Sequence, residues 1–483
     1  MRSTRHIDAL ANILKRGSVV TRGDGTMAEP EFLSYGSDRT REVRPEFHTL
    51  VFPADTDEVA AVVRYCVSNR LPLVPSGGRT GLSGGAVAAE NEIVLSLKKL
   101  NRVLGYDPLL PALSVQAGVT TAEVQQKARE HGHFLPIDLA ASGSSQIGGN
   151  IATNAGGTRV IRYGMIREWV LGLTVVTGAG EILRFPGNVL KNNTGIDLKQ
   201  LFIGSEGTLG IVTEATLRLA EPPGQASGAL FALTDFTRVT NFLAWLRDQR
   251  VRPLAFEYFD RTALKIVCAH LSLPAPFDRF FDHYVFLEWD LEELALDPML
   301  EKIERAVEEG IVVDARFAET SAQADAFWKY REGISESLSL SYTVHKNDIS
   351  APIPALGELR EKVQAILDSG QGRAPVFFGH IGDGNLHLNV LKADAPEPDM
   401  LPVASAESDA DFFAYCRTFD RQLYGLLRDL GGSISAEHGI GTLKRDFLSF
   451  SRSPEEIEAM RRLKALFDPA GILNPGKVFR AGA

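Results

Sequence analysis

The chain has 483 residues, of which 44% are hydrophobic and 23% charged, and carries a formal net charge of −10 with a pI near 5.6. That length has room for two or three domains with a sizeable core, and the acidic balance argues against nucleic acid or an anionic membrane surface as the main partner. Cys66, Cys268 and Cys416 are odd in number and far apart with no CxxC pair, so neither a disulfide framework nor a cysteine metal site is expected, and a reducing compartment follows.

Ile7, Leu10, Ile13 and Leu14 fall at helical spacing between basic residues, which predicts a packed first helix; Asp8 and the short length disfavour a transit peptide. No run reaches the apolar length of a transmembrane helix. From about residue 48 strands and capped helices alternate. Leu50-Val51-Phe52 reads as a strand, Asp55-Thr56 caps a helix from Glu58 to Cys66, and Leu71 to Pro75 reads as a second strand. Thr120-x-x-Glu123 is a capping box that opens a helix ending at Gly132.

Residues 75 to 224 then carry three glycine-rich turns. Pro75-Ser76-Gly77-Gly78-Arg79-Thr80-Gly81-Leu82-Ser83-Gly84-Gly85 follows a strand directly, and so few Cβ atoms let consecutive backbone N–H groups curl around a pyrophosphate. It is neither a P-loop nor a GxGxxG turn, for the Lys-Ser/Thr pair is missing and the glycine spacing is wrong. Ile147 to Gly157 and Gly204 to Gly210 again combine small residues with Asn, Thr and Ser. Three such surfaces in one region predict a large polar cofactor.

Pro222-Pro223-Gly224 marks a boundary. Beyond it, helices over Phe236 to Arg247 and Leu300 to Glu309 alternate with strands over Ala229 to Leu233 and His283 to Glu288. Arg331 and Ser335 stand one helical turn apart, with Lys346 on a following strand; a guanidinium, a hydroxyl and an ammonium suit a carboxylate. The polar stretch Lys392 to Asp411 reads as a long loop. Helices follow until Asp468-Pro469-Ala470-Gly471 breaks the last of them.

His380-Ile381-Gly382-Asp383-Gly384-Asn385-Leu386-His387 is the most informative segment. A two-residue Asp383-Gly384 hairpin turn would set His380 directly opposite His387, where Cβ atoms about 4.5–5.5 Å apart let two imidazoles share one ion. Asn389 would lie on the face of His387. With an acid such as Glu437 downstream, this is a metal shell with an open position, and zinc, manganese and iron all suit it. Gly439-Ile440-Gly441 predicts a loop at Glu437-His438, where both side chains could reach one pocket. A zinc hydrolase built on this cluster is disfavoured by the absence of an HExxH helix.

Taken with Ser435-Ala436-Glu437-His438-Gly439 and Asn474-Pro475-Gly476-Lys477, the three glycine segments and the histidine segment resemble the vanillyl-alcohol-oxidase-type FAD flavoproteins, and within them the D-lactate and D-2-hydroxyglutarate dehydrogenase branch. The resemblance spans nearly the whole chain. It implies an α+β fold: an FAD-binding domain of two α/β subdomains over 1–222 and 470–483, an antiparallel-sheet substrate domain over 223–400, and a small helical domain over 401–469. Around FAD it implies Pro75, Gly77, Gly78, Arg79, Thr80, Gly81, Gly84, Gly85, Pro136, Asp138, Gly148, Gly149, Asn150, Ala152, Thr153, Gly157, Glu206, Gly207, Gly210, Ile211 and Asn474. Arg79 stands where covalent members carry a flavin-linked histidine, so dissociable FAD is expected.

For the substrate the resemblance implies Arg331, Ser335 and Lys346 on a distal carboxylate and Asn389 on the proximal one. It gives His380, His387 and Glu437 as ligands of a divalent metal, zinc favoured, and His438 as the general base. Ser335 replaces a threonine of the hydroxyglutarate enzymes and keeps its hydroxyl. The expected activity is oxidation of a D-2-hydroxyacid, D-2-hydroxyglutarate favoured and D-lactate or another short or apolar acid the alternative. Electrons would pass to an electron-transfer flavoprotein, cytochrome or quinone from a cytoplasmic homodimer, or from one peripheral to the inner membrane. A flavin-dependent synthase without net redox is the more distant alternative.

Overall fold

The computed structural model describes residues 4–40, 42–369, 372–395 and 400–480. They form two compact units, one of 1–157, 164–222 and 437–483 and one of 158–163 and 223–436. The boundary falls between Pro222 and Pro223, inside the expected Pro-Pro-Gly break. Among the described residues no helix is long and apolar enough to cross a membrane.

The first unit holds two sheets. In the four-stranded one, Ile93–Ser96 lies between Thr49–Phe52 and Leu73–Ser76, parallel to both, and Ser18–Thr21 pairs antiparallel at the edge. The helix Thr56–Asn69 crosses between parallel strands, as parallel pairing requires, and the Asp55 side chain accepts from Glu58 N–H at its start. The capping box at Thr120 and Glu123 is present at the head of Thr121–Glu130. A five-stranded antiparallel sheet orders Val103–Asp107, Ala112–Gln116, Gly210–Arg218, Val170–Thr177 and Ile182–Phe185. The returning tail closes on the free edge of Leu73–Ser76: Leu73 N–H donates to Ile472 O at 2.8 Å and Asn474 N–H to Leu73 O at 2.7 Å.

The second unit is one antiparallel sheet of eight strands. Its main path runs Asp314–Phe317, Ala226–Leu233, His283–Asp290, Ala255–Asp260, Arg373–Gly379, Asn385–Asp394 and Val344–Ser350. Period-two alternation gives the sheet two lined faces. Phe259, Phe286, Val376 and Phe378 pack one face against the helices Arg261–Leu271 and Ser321–Ser341. On the other, Phe236 of the helix Phe236–Asp248 meets Tyr258 edge-on at 5.0 Å, and Arg360 of Leu356–Ser369 lies 5.0 Å from the Phe377 ring.

Two expectations are corrected. The helical domain expected over 401–469 is divided between the units. Asp409–Asp429 belongs to the second, where Asp420 accepts from Asn347 Nδ2 at 3.1 Å and pairs with His345 at 2.8 Å, whereas the chain from Glu437 onward belongs to the first. The loop expected over 392–411 is in part sheet, because Val403–Ala404 pairs back on Ala393 and Asp394; residues 396–399 of it lie outside the described residues.

Burial pushes the Asp260 carboxyl up to about 6, against N–H bonds from Ala263 at 2.8 Å and Phe377 at 2.7 Å that favour its charged form. The fold therefore binds this proton more tightly than the unfolded chain. The corresponding stability is complete below the ordinary carboxyl value of 3.8 and is lost as pH rises through about 6. Melting temperatures of Asp260→Asn and wild type should thus diverge, the variant gaining relative to wild type between roughly pH 4 and pH 7. Parallel curves would remove Asp260 from this role.

Candidate active site

In the first unit the three glycine segments come together. Gly204 N–H donates to Ile151 O at 2.9 Å and Glu206 N–H to Ala152 O at 2.7 Å, which joins the third segment to the second. Glu206, itself at φ +52°, accepts from Ile440 N–H and Gly441 N–H at 2.7 Å each, so the returning chain is tied there too. Asn474 Nδ2 donates to Gly85 O at 3.0 Å and Glu206 O at 2.8 Å, and a Cβ on Gly207 would lie 3.5 Å from Pro75. Gly157, at φ +129°, backs onto the Asp138 carbonyl so closely that no side chain fits. Pro136 and Asp138 are thereby held beside the second segment.

Several of the expected cofactor residues also have structural partners. Asn150 turns inward, its amide donating to Thr121 Oγ1 at 2.6 Å, and the Thr153 hydroxyl bonds back to Gly149 O at 3.1 Å. Gly210 is small because a Cβ there would meet Val175 Cγ1 at 2.5 Å, and Ile211 is buried core of the same strand. Arg79 takes φ +60° and stacks its guanidinium 4.3 Å from the Tyr35 ring, while Arg39 N–H donates to Gly81 O at 2.9 Å.

A flavin dinucleotide fits the cradle these residues make. A Cβ on Gly77 would find Gly149 at 3.7 Å, and a Cβ on Gly149 would meet nothing within 4 Å. Gln146 Oε1 and Asn474 Oδ1 are buried acceptors without a partner, which is costly unless a donor arrives.

The second unit concentrates its polar groups on one sheet face. Cross-strand partners share a face, and the ladder pairs Asp348 with His387, His387 with Phe378, Lys346 with Asn389 and Phe259 with Phe378. Glu257 stands two residues from Phe259 and so joins them. The Ser321–Ser341 helix adds Arg331, Ser335 and Ser339 at four-residue spacing. Lys346 Nζ donates to Ser335 Oγ at 3.1 Å and Ser339 Oγ at 2.9 Å, all at the solvent-facing end. Arg331 is buried, stacked 4.9 Å from the Phe378 ring, with Nε 2.7 Å from Glu257 Oε2. Asn389 is also buried, and its Nδ2 has no partner.

His380 and His387 converge, but not through the expected hairpin. His380 precedes a 3₁₀ turn over Ile381–Asp383, only Gly384 takes a positive φ of 86°, and the strand partner of His387 is Phe378. The longer connection swings His380 over the end of the sheet, and the two rings meet edge-on with centroids 5.3 Å apart. Each imidazole has a carboxylate behind Nδ1, Glu257 at 2.7 Å from His380 and Asp348 at 3.6 Å from His387. Two imidazoles so placed, each with a carboxylate behind it, are a donor pair that fits a divalent metal. Burial works against ionised Glu257, but His380 and Arg331 overcome it and hold the carboxyl below its ordinary value.

Glu437 and His438 lie in irregular chain, followed by Gly439 at φ +78°. Ser433 bridges Ser350, two positions beyond Asp348, so the strand edge fixes where the chain leaves Ala436. Sequence reasoning missed Glu257, Asp348, Phe378 and Ser339. Glu257 had a signal, an acid inside the otherwise apolar run Ala255-Phe256-Glu257-Tyr258-Phe259.

Residues 48–186 match the family model described as FAD binding domain, and residues 223–478 match that of the FAD linked oxidases, C-terminal domain. The chain is 43% identical over 478 residues to D-2-hydroxyglutarate dehydrogenase of Stutzerimonas stutzeri (strain A1501), covering 98% of this chain and 99% of that one. It is 38% identical to the mitochondrial D-2-hydroxyglutarate dehydrogenase of Bos taurus, over 91% of this chain and 78% of that one. Among solved structures, p-cresol methylhydroxylase shares the fold at a TM-score of 0.73 and 15% identity over 99% of this chain and 96% of that one. Alkyldihydroxyacetonephosphate synthase does so at 0.65 and 18%, over 90% and 77%.

The open space beside Gly149 is where a side chain should disturb the cofactor and little else. Gly149→Leu is expected to melt within a few degrees of the wild-type apoprotein and to lack the visible flavin absorbance. Full flavin content in a folded Gly149→Leu would place the cofactor elsewhere.

Proposed function

The chain belongs to the FAD-linked oxidases, in the branch of the D-2-hydroxyglutarate dehydrogenases, and from that premise we propose that it oxidises D-2-hydroxyglutarate to 2-oxoglutarate with FAD and a divalent metal. The observation that carries the substrate is the single sheet face with cations at one end and the paired imidazoles at the other. A dicarboxylate uses both ends. A short monocarboxylate such as D-lactate would leave Arg331, Ser335 and Lys346 without a ligand.

When bound, FAD supplies the hydride acceptor, and a divalent ion on His380, His387 and Glu437 supplies positive charge that lowers the pKa of the substrate hydroxyl. The chain's own residues do the rest. Asn389 Nδ2, buried without a partner, donates to the proximal carboxylate. Lys346 and Arg331 hold the distal carboxylate, the ammonium already steered by Ser335 and Ser339. His438 accepts the hydroxyl proton as general base through an imidazole nitrogen. The Arg79 stack on Tyr35 fits dissociable flavin, because guanidinium offers no bond to the ring system. Zinc is the favoured ion. We assign the electrons to a protein or quinone acceptor, and a cytoplasmic homodimer as the working form.

Anaerobic mixing with a panel of D- and L-2-hydroxyacids should bleach the flavin band fastest with D-2-hydroxyglutarate. Chelator should slow that bleaching, and the L-enantiomer should give none. A faster response to D-lactate would reassign the substrate, and no bleaching with any hydroxy acid would point to a synthase without net redox. In the same assay His438→Ala should keep wild-type flavin and metal content and lose about 10²–10⁴-fold in reduction rate. A wild-type rate would take the base role from His438.

A further inference from the structure

Glu257 is among the most deeply buried charges of the described residues in the second unit, and neither the flavin nor the hydroxyacid chemistry calls for it. Its side chain is 1% exposed and its two oxygens are divided between two neighbours: Oε2 lies 2.7 Å from Arg331 Nε, and Oε1 lies 2.7 Å from His380 Nδ1. An ionised carboxylate accepts and cannot donate, so its hydrogen bond with His380 runs from Nδ1–H to Oε1, while Arg331 is held to it as an ion pair. His380 Nδ1 must then carry its proton, and the lone pair must sit on Nε2. The same carboxylate lies 2.7 Å from Nε of Arg331, whose guanidinium rests over Phe378.

We propose that Glu257 is a positioning residue that sets the tautomer of His380 and the orientation of Arg331 together, so that one buried carboxylate ties the ion-binding end of the site to its carboxylate-binding end. The proposal rests on the reading of His380 as a metal ligand and Arg331 as a substrate ligand. A structural ion pair alone would need only the charge balance. Positioning needs two acceptors in fixed places, and this difference can be read out. An amide at 257 has one acceptor and one donor, so Glu257→Gln must either turn its donor on Arg331 or force the proton of His380 onto Nε2, where it blocks ligation.

The test uses flavin-loaded protein and Zn²⁺ alone as the probe. Competition with a chromophoric chelator should show Zn²⁺ held about 10–100-fold more weakly by Glu257→Gln than by wild type, at unchanged flavin content. In metal-free protein labelled with ¹⁵N-histidine, His380 should show a protonated Nδ1 in wild type and lose that signature in Glu257→Gln. Glu257→Asp keeps the charge one methylene further back, should recover part of both effects, and carries the test if the amide variant does not fold. Zn²⁺ affinity within twofold of wild type together with an unchanged His380 signal would overturn the proposal. If His380→Ala leaves Zn²⁺ stoichiometry untouched, the metal reading itself fails. Glu257 is then judged on the nitrogen signal alone, a change supporting it and no change overturning it.

Discussion

The site in the second unit depends on one constraint, the register of the antiparallel ladder through Asn385–Asp394. Because side chains alternate with a period of two, pairing His387 with both Asp348 and Phe378 commits Asn389, Lys346, Phe259 and Glu257 to the same face. A slip of that strand by one residue would turn His387 and Asn389 away from the Ser321–Ser341 helix that carries Arg331 and Ser335. Aromatic pairs stabilise sheet registers, and Phe259 and Phe378 sit directly opposite each other in the adjoining ladder. Fold energetics and site geometry are here the same set of contacts.

Burial on that face has an electrostatic side. Glu257, Arg331 and His380 are nearly inaccessible, and any one of them alone would be costly in a low-dielectric interior. Together they form a chain of ion-pair contacts through the Glu257 carboxylate. Removing a partner from such a cluster leaves an uncompensated charge, which is why the three act as a unit. The flavin cradle uses another device: it is built from backbone N–H and C=O groups made accessible by glycine, with Glu206 and Asn474 as the side chains that pin distant stretches of chain together.

Much of this was legible in the sequence, because local chemistry writes local structure. The caps at Asp55 and Thr120, the break at Pro222-Pro223 and the helix carrying Arg331 and Ser335 all follow from patterns a few residues long. The glycine segments pointed to a cofactor, although Gly210 owes its size to Val175 in a neighbouring strand, which no local pattern reveals. The convergence of His380 and His387 was legible, but its geometry was not. An Asp-Gly pair favours a two-residue turn, yet the backbone instead closes a 3₁₀ turn in which Asp383 N–H and Asn385 N–H both donate to His380 O. The division of residues 401–469 between units was hidden for a similar reason. It is decided by Asp420 and Glu206, whose partners lie far away in the chain.

The tail that closes on the Leu73–Ser76 edge bears on the order in which the protein is made. Asn474, which holds the carbonyls of Gly85 and Glu206, is 389 positions beyond Gly85. On the ribosome the glycine segments therefore emerge long before the residue that clasps them, with the whole second unit synthesised in between. That unit, continuous but for six residues, can condense during translation, while the first waits with the edge of an apolar strand unpaired. The clasp on the glycine segments is therefore complete only once Asn474 has been made.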